Sequence, residues 1–206
     1  GGTHTVDLKD KDQIRSRRSF TLFAGLLRAN SSLTALTISS VSPEHVDVLA
    51  EALATNTTMV ELRLEQPNKT AETAISTLPV QQLNGASKSV TIDLSQAGIK
   101  VGDGFQPCHR NACACVGAVL GASENSHIRT LKINPGGGSE GGAILEHLHR
   151  ARKSSLVELD VSSIGLGDRG GVKFFESLLN AKCNFLTTIH LGDNGLTDSA
   201  DGPHIV

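Results

Sequence analysis

The feature that most constrains this chain is a six-residue phrase, apolar-x-x-apolar-x-apolar, which returns along its whole length. Five copies are complete: LTALTI at 33–38, MVELRL at 59–64, IRTLKI at 128–133, LVELDV at 156–161 and LTTIHL at 186–191. Two degenerate copies, THTVDL at 3–8 and SVTIDL at 89–94, keep the last two apolar places. The final apolar residues of the seven stand at 8, 38, 64, 94, 133, 161 and 191, so the spacings are 30, 26, 30, 39, 28 and 30. A unit of this length cannot bury its own apolar face, so neighbouring units must stack to make a core. The 39-residue interval carries about ten extra residues, VGDGFQPCHR and its neighbours, expected to emerge as a loop.

Within each copy the apolar-x-apolar ending has the period of a strand with one buried face. Between copies the spacing turns helical: Phe20, Phe23 and Leu27; Val46, Leu49, Ala50 and Leu53; Ala112, Val116, Val119 and Leu120; Val172, Phe175 and Leu179. Ser42 before Pro43 and Glu44 predicts a helix start, with proline where no N–H is needed and an acid in the first turn. Small polar clusters in RANSSL, ATNTTM and GASENSHI separate a helix from the next strand. There an Asn is expected to take the left-handed conformation of a helix C-cap. Pro79 in STLPVQQLNG argues against a full helix in its copy. Of the three Asn-x-Ser/Thr sequons, those at Asn30 and Asn56 fall in these turns and the third is at Asn68. Turn formation accounts for the first two without glycosylation.

LTTIHLGDNGLTDSA, residues 186–200, matches the L-x-x-L-x-L-x-x-N-x-L-x-D-x-A/G opening of a leucine-rich repeat of the ribonuclease-inhibitor type, and LVELDVSSIGLGDRG, 156–170, fits the same frame. The resemblance implies an α/β leucine-rich-repeat solenoid of about seven repeats forming a single domain over 1–206. Its curved parallel sheet would lie on the concave side and its helices on the convex side. The resemblance also implies that Asn194 hydrogen-bonds the backbone of its own loop. Val41, Gly136 and Ile164 hold the equivalent place elsewhere, so no run of such asparagines continues. LATNTTMVELRLEQ, 53–66, is similar to the repeats of tropomodulin. The family further includes the activating protein of the Ran GTPase and the sensor arrays of innate-immune receptors. Such kinship implies a protein-binding or scaffold module, with regulation of a small GTPase or tropomodulin-type actin capping as the alternatives.

In each copy the residue between the last two apolar places points away from the core. These residues are Asp7, Thr37, Arg63, Asp93, Lys132, Asp160 and His190, with Glu61, Glu65 and Glu158 beside them. From Arg63 onward their charges alternate in sign. Parallel strands lie about 4.8 Å apart, so such side chains can pair across the sheet. The row is either a self-satisfied charge ladder that keeps the sheet soluble or a surface that recognises a protein. Exposed ion pairs add only about 0 to 1 kcal/mol each, a thin reason for so regular a row. The candidate partner-binding residues are therefore Glu61, Arg63, Glu65, Asp93, Lys132, Glu158, Asp160 and His190. The insertion at 101–112 is the second candidate.

Catalytic and cofactor chemistry finds no support. Asp193, Asp198 and Asp201 do not make an EF-hand, because Gly195 and Thr197 stand where oxygen ligands are needed. CHRNACAC, 108–115, lacks a paired C-x-x-C, and Cys113 and Cys115 sit two apart at a helix start, a spacing that favours packing over zinc. NPGGGSEGGA, 134–143, has no G-K-[ST] and reads as a flexible loop. His147 and His149 are two apart, where same-face ligands stand three or four apart. No enzyme, cofactor, metal or small-molecule substrate is expected. A net charge of −2 with mixed signs, no Tyr or Trp and only six Phe disfavour nucleic acid. No apolar run is long enough to span a membrane. Cys108, Cys113 and Cys115 cluster away from Cys183, a poor disulfide framework that points to a reducing, cytoplasmic location. The chain opens almost on a strand and stops after a loop, without the polar caps a solenoid needs, so it is expected to be a segment of a larger protein.

Overall fold

Strand and helix alternate in the computed structural model, which describes residues 17–39, 41–67, 73–94, 99–101, 104–106, 110–124, 127–133, 155–163, 166–181 and 185–197. The copy at 3–8 with Asp7, the sequon at Asn68, Cys108, His109, the glycine run 134–143, His147, His149, Cys183 and the whole of 198–206, with Asp198 and Asp201, lie outside these residues. In chain order the elements begin with α1 (Arg17–Ala29), β1 (Ala35–Ser39), a 3-10 turn (Pro43–His45), α2 (Val46–Thr55), β2 (Glu61–Pro67) and β3 (Thr73–Pro79). They continue with α3 (Val80–Leu83), β4 (Thr91–Asp93), β5 (Ile99–Val101), β6 (Gly104–Gln106) and α4 (Arg110–Ala122). The last are β7 (Thr130–Lys132), β8 (Glu158–Asp160), α5 (Gly167–Ala181) and β9 (Thr188–His190).

The repeated phrase places its apolar residues opposite one another. Ile38 of β1 faces Leu64 of β2 in parallel register, and Ile92, Leu131, Leu159 and Ile189 align across β4, β7, β8 and β9. All but Ile189 are almost fully buried, in one core with Leu49 and Leu53 of α2, Val116 and Leu120 of α4 and Phe174 of α5. The helices thus cover one face of the strands.

One continuous parallel sheet is expected from the repeat, and the described strands depart from it. They form a three-stranded sheet, β1-β2-β3, a four-stranded sheet, β4-β7-β8-β9, and the hairpin β5-β6. The break comes at β3, which runs antiparallel to β2 and pairs along its whole length, Glu61 to Pro79 through Pro67 to Thr73. TAISTLP alternates well enough to bury Ser76 and Leu78 on one face, and its Thr and Ile favour a strand. Pro79 then ends the strand and caps a single helical turn, α3, consistent with the proline argument from sequence. Part of the expected insertion loop is the hairpin β5-β6, with Ile99 opposite Gln106 and β5 passing close to β3.

The asparagines in the turns after the helices work differently from the expected left-handed cap. Asn56 is extended, with φ −82° and ψ 114°, and Asn84 is in the helical region. In that copy the left-handed residue is Gly85, with φ 83°. The Asn56 Nδ2 donates to the carbonyls of Leu27 (2.7 Å) and Asn30 (3.0 Å), while its Oδ1 accepts the N–H groups of Thr58 and Met59. Asn84 repeats the contact one layer on, donating to Leu53 (2.8 Å) and Asn56 (2.7 Å) and accepting from Ala86. Each amide thereby satisfies carbonyls that end one helix from the layer above it. Asn56 is 2% exposed with both amide hydrogens engaged, so its sequon is closed to glycosylation in the folded chain.

At the opposite ends of the strands the loops stack as well. Asn194 is buried and donates to Val161 (2.9 Å) and Leu191 (2.8 Å), the structural role expected of it. Ser163 and Asp193, two places after the aligned Val161 and Leu191, share a left-handed backbone with φ 58° and 55°. Asp168, in the first turn of α5, accepts both the N–H and the hydroxyl of Thr197 in the next loop at 2.6 Å.

Two other expectations need correction or refinement. In α5 the buried stripe is Gly171 and Phe174, with Leu178 partly buried, whereas Leu179 is 78% exposed. The helix is rotated from the Val172, Phe175, Leu179 stripe because Gly170 and Gly171 let the loop residues Leu166 and Leu196 lie against the helix. At Ser42 the helix starts as predicted but through a 3-10 turn, and the hydroxyl bonds the His45 Nδ1 at 2.9 Å instead of a backbone N–H. His45 is buried and stacked on Phe20, with its Nε2 lacking a partner.

Leu131→Ala or Leu159→Ala is expected to cost about 2 to 5 kcal/mol, and Glu158→Ala under about 1 kcal/mol, in chemical denaturation. Equal shifts would reject the register. Asn84→Ala removes the amide bonds to two buried carbonyls and is expected to cost about 1 to 3 kcal/mol, whereas Asn30→Ala, at an exposed turn, costs less.

Candidate functional site

The alternation that buries Leu131 and Leu159 turns their neighbours to the other face. Register sets Asp93 beside Lys132, Lys132 beside Asp160, and Asp160 beside His190 on four consecutive strands. The Lys132 Nζ lies 3.9 Å from the Asp160 carboxylate, and the His190 Nε2 lies 2.9 Å from Glu158. Thr130 donates its hydroxyl to the other Glu158 oxygen at 3.1 Å. Lys132 and His190 nevertheless keep about half of their side-chain surface exposed, 47% and 49%. Asp93 is exposed, and Glu158 and Asp160 are half-buried between their neighbours.

The other candidates belong to the first sheet. Arg63 and Glu61 form an ion pair at 2.5 Å, and Thr37 and Thr77 flank Arg63 on the adjoining strands. Glu65 sits opposite Ser39 and Ile75. The charge row read from sequence runs directly from Arg63 to Asp93, and here the structure corrects it. Strand β3 occupies the place beside β2, so Arg63 meets Thr77 across the sheet. The eight residues therefore make two patches, Glu61, Arg63 and Glu65 on one sheet and Asp93, Lys132, Glu158, Asp160 and His190 on the other.

Within the second patch Asp160 is the organising charge. Burial works against its ionised form, but the Ser162 N–H (2.9 Å) and hydroxyl, with Lys132 and His190 nearby, outweigh burial and hold the carboxyl below the usual carboxylate range. Bonds from Thr197 likewise hold Asp168 low. Sequence reasoning missed Thr130 and Ser162 as supports of the patch. Thr130 was visible, since it stands beside the repeat's central leucine and two residues from Lys132.

The patch offers charge, hydrogen-bonding groups and a flat sheet surface. Among the described residues no three His, Cys, Asp or Glu converge on a point where a metal could sit. Cys113 and Cys115 are fully buried in α4, as the packing reading expects. Among the described residues no helix is long and apolar enough to cross a membrane.

A carboxylate held below its unfolded value stabilises the fold above that value and loses its contribution as pH falls through the lowered one. Wild type is thus expected to exceed Asp160→Asn in stability at neutral pH, with the difference shrinking below about pH 4. Denaturation of both chains across that range measures it, and a pH-independent difference would reject the ionic role. No protein-family model matches the chain, and no curated protein is similar to it.

Proposed function

We propose that this chain is a repeat array of the leucine-rich, ribonuclease-inhibitor-like type and that it acts as a protein-binding module or scaffold of an intracellular protein. The observation that carries this is the strand face opposite the helices. Asp93, Lys132, Asp160 and His190 stand in register across four strands, with Lys132 and His190 half exposed despite their neighbours. Such a surface presents alternating charge to a partner at strand spacing, which favours specificity and register over raw affinity. Glu61, Arg63 and Glu65 supply a second charged patch, and the β5-β6 hairpin is a further contact candidate.

A charge-reversed variant tests this. Arg63→Glu with Lys132→Glu changes two exposed cations and leaves Asp160, which holds the Ser162 backbone, in place. Affinity capture from lysate with wild type and variant, after circular dichroism shows that both fold alike, is expected to lose at least one partner. Identical partner sets would reduce the charged face to a solubilising surface.

A further inference from the structure

A second surface runs along the N-terminal ends of the four-stranded sheet. The Arg129 N–H donates to the Val90 carbonyl at 2.7 Å, and the Val157 N–H donates to the Arg129 carbonyl at 2.9 Å. Val90, Arg129 and Val157 therefore stand side by side just before β4, β7 and β8. Two residues earlier, Lys88, His127 and Ser155 make a parallel row. These six line an open groove of about 740 Å³.

The groove differs from the charged strand face. Among the described residues its lining holds two fixed cations and a histidine, all exposed, and no acid. Among the described residues the side chains of Lys88, His127 and Arg129 have no hydrogen-bond or ion-pair partner, whereas Lys132, Arg63 and His190 each have a carboxylate. The nearby Glu158 is already taken by His190 and Thr130. Between the cations lie two valines, and Val90 keeps 50% of its surface exposed. Unpaired cations around an apolar floor, on a chain of net charge −2, give a local field opposite in sign to the whole.

We propose that this rim binds an extended, acidic segment of a partner protein, with a short aliphatic side chain against Val90 and Val157 and carboxylates against Lys88, Arg129 and His127. The span from Val90 to Val157 covers two strand spacings, about 10 Å, the length of about three extended residues. Nucleic acid fits less well, because the described lining has no Phe, Tyr or Trp on which a base could stack. The rim and the charged strand face are separate surfaces, so binding at one does not depend on binding at the other.

The test is fluorescence anisotropy with the full chain and a labelled peptide, GSEEVEESG, against its glutamine counterpart GSQQVQQSG. The acidic peptide is expected to saturate with Kd below about 1 mM and the glutamine peptide to bind at least about tenfold more weakly. Lys88→Glu with Arg129→Glu is expected to weaken the acidic peptide by at least about tenfold, and Arg63→Glu with Lys132→Glu by less than about twofold. Lys88→Gln with Arg129→Gln gives the same direction should the reversed chain fail to fold. Absence of saturation, equal affinity for the two peptides, or affinity kept in the rim variants each overturns the proposal. So does tighter binding of a labelled single-stranded oligonucleotide of equal length. Loss of lysate partners in the strand-face variant with peptide binding intact would support the two surfaces independently.

Discussion

No layer of this chain can keep its own apolar row dry, and the rest of the structure follows from that. Leu62, Leu131 and Leu159 are fully buried because the strand on either side and the helix behind exclude water together. Drawing layers this close removes water from the turns too, and an unsatisfied carbonyl there is costly. The amides of Asn56, Asn84 and Asn194 answer that cost by donating to carbonyls of the layer next to them. Apolar stacking and amide bonding are thus two sides of one constraint, since each bond is strong only because the stack is dry.

The same alternation that feeds the core creates the charged face. A strand that buries Leu159 must offer Glu158 and Asp160 to the other side, and parallel register brings these beside Lys132 and His190. Opposite charges at strand spacing neutralise one another enough to coexist, yet leave half of the Lys132 and His190 surface open. The rim is different. Lys88 and Arg129 precede the strands, outside the ladder that supplies carboxylates, and so keep their charge unpaired.

Much of this was legible in the sequence. Apolar spacing located the strands, and the copies come into register with Ile38 against Leu64 and Leu131 against Leu159. Helix α2 buries Val46, Leu49, Ala50 and Leu53 as its period required, because a strong 3.6-residue pattern leaves one face to bury. The members of the charged patch were legible for the same reason, but its continuity was not. TAISTLP lacks the repeated phrase, and whether such a segment pairs forward or back depends on the strand it meets. The stripe of α5 was misplaced because Gly170 and Gly171 carry no apolar side chain, and only contact with Leu166 and Leu196 reveals that they lie inside. Nor could composition reveal the rim, since Lys88 meets His127 and Arg129 only when two layers stack.

What the sequence determined by itself is periodic: where the repeated strands and the helices between them lie, which residues of those strands and of α2 face inward, and which strand charges must therefore face out. These follow from local geometry, two residues per strand period and 3.6 per helical turn, with no knowledge of neighbours. Tertiary structure alone decided which strand lies beside which. The antiparallel β3 divides the sheet and parts Arg63 from Asp93, Asn56 and Asn84 bond across layers in place of capping their own helices, and Lys88, His127 and Arg129 gather on one rim. Each is a contact between residues distant in the chain, and the energy of such a contact depends on how the intervening layers pack, which no local pattern records.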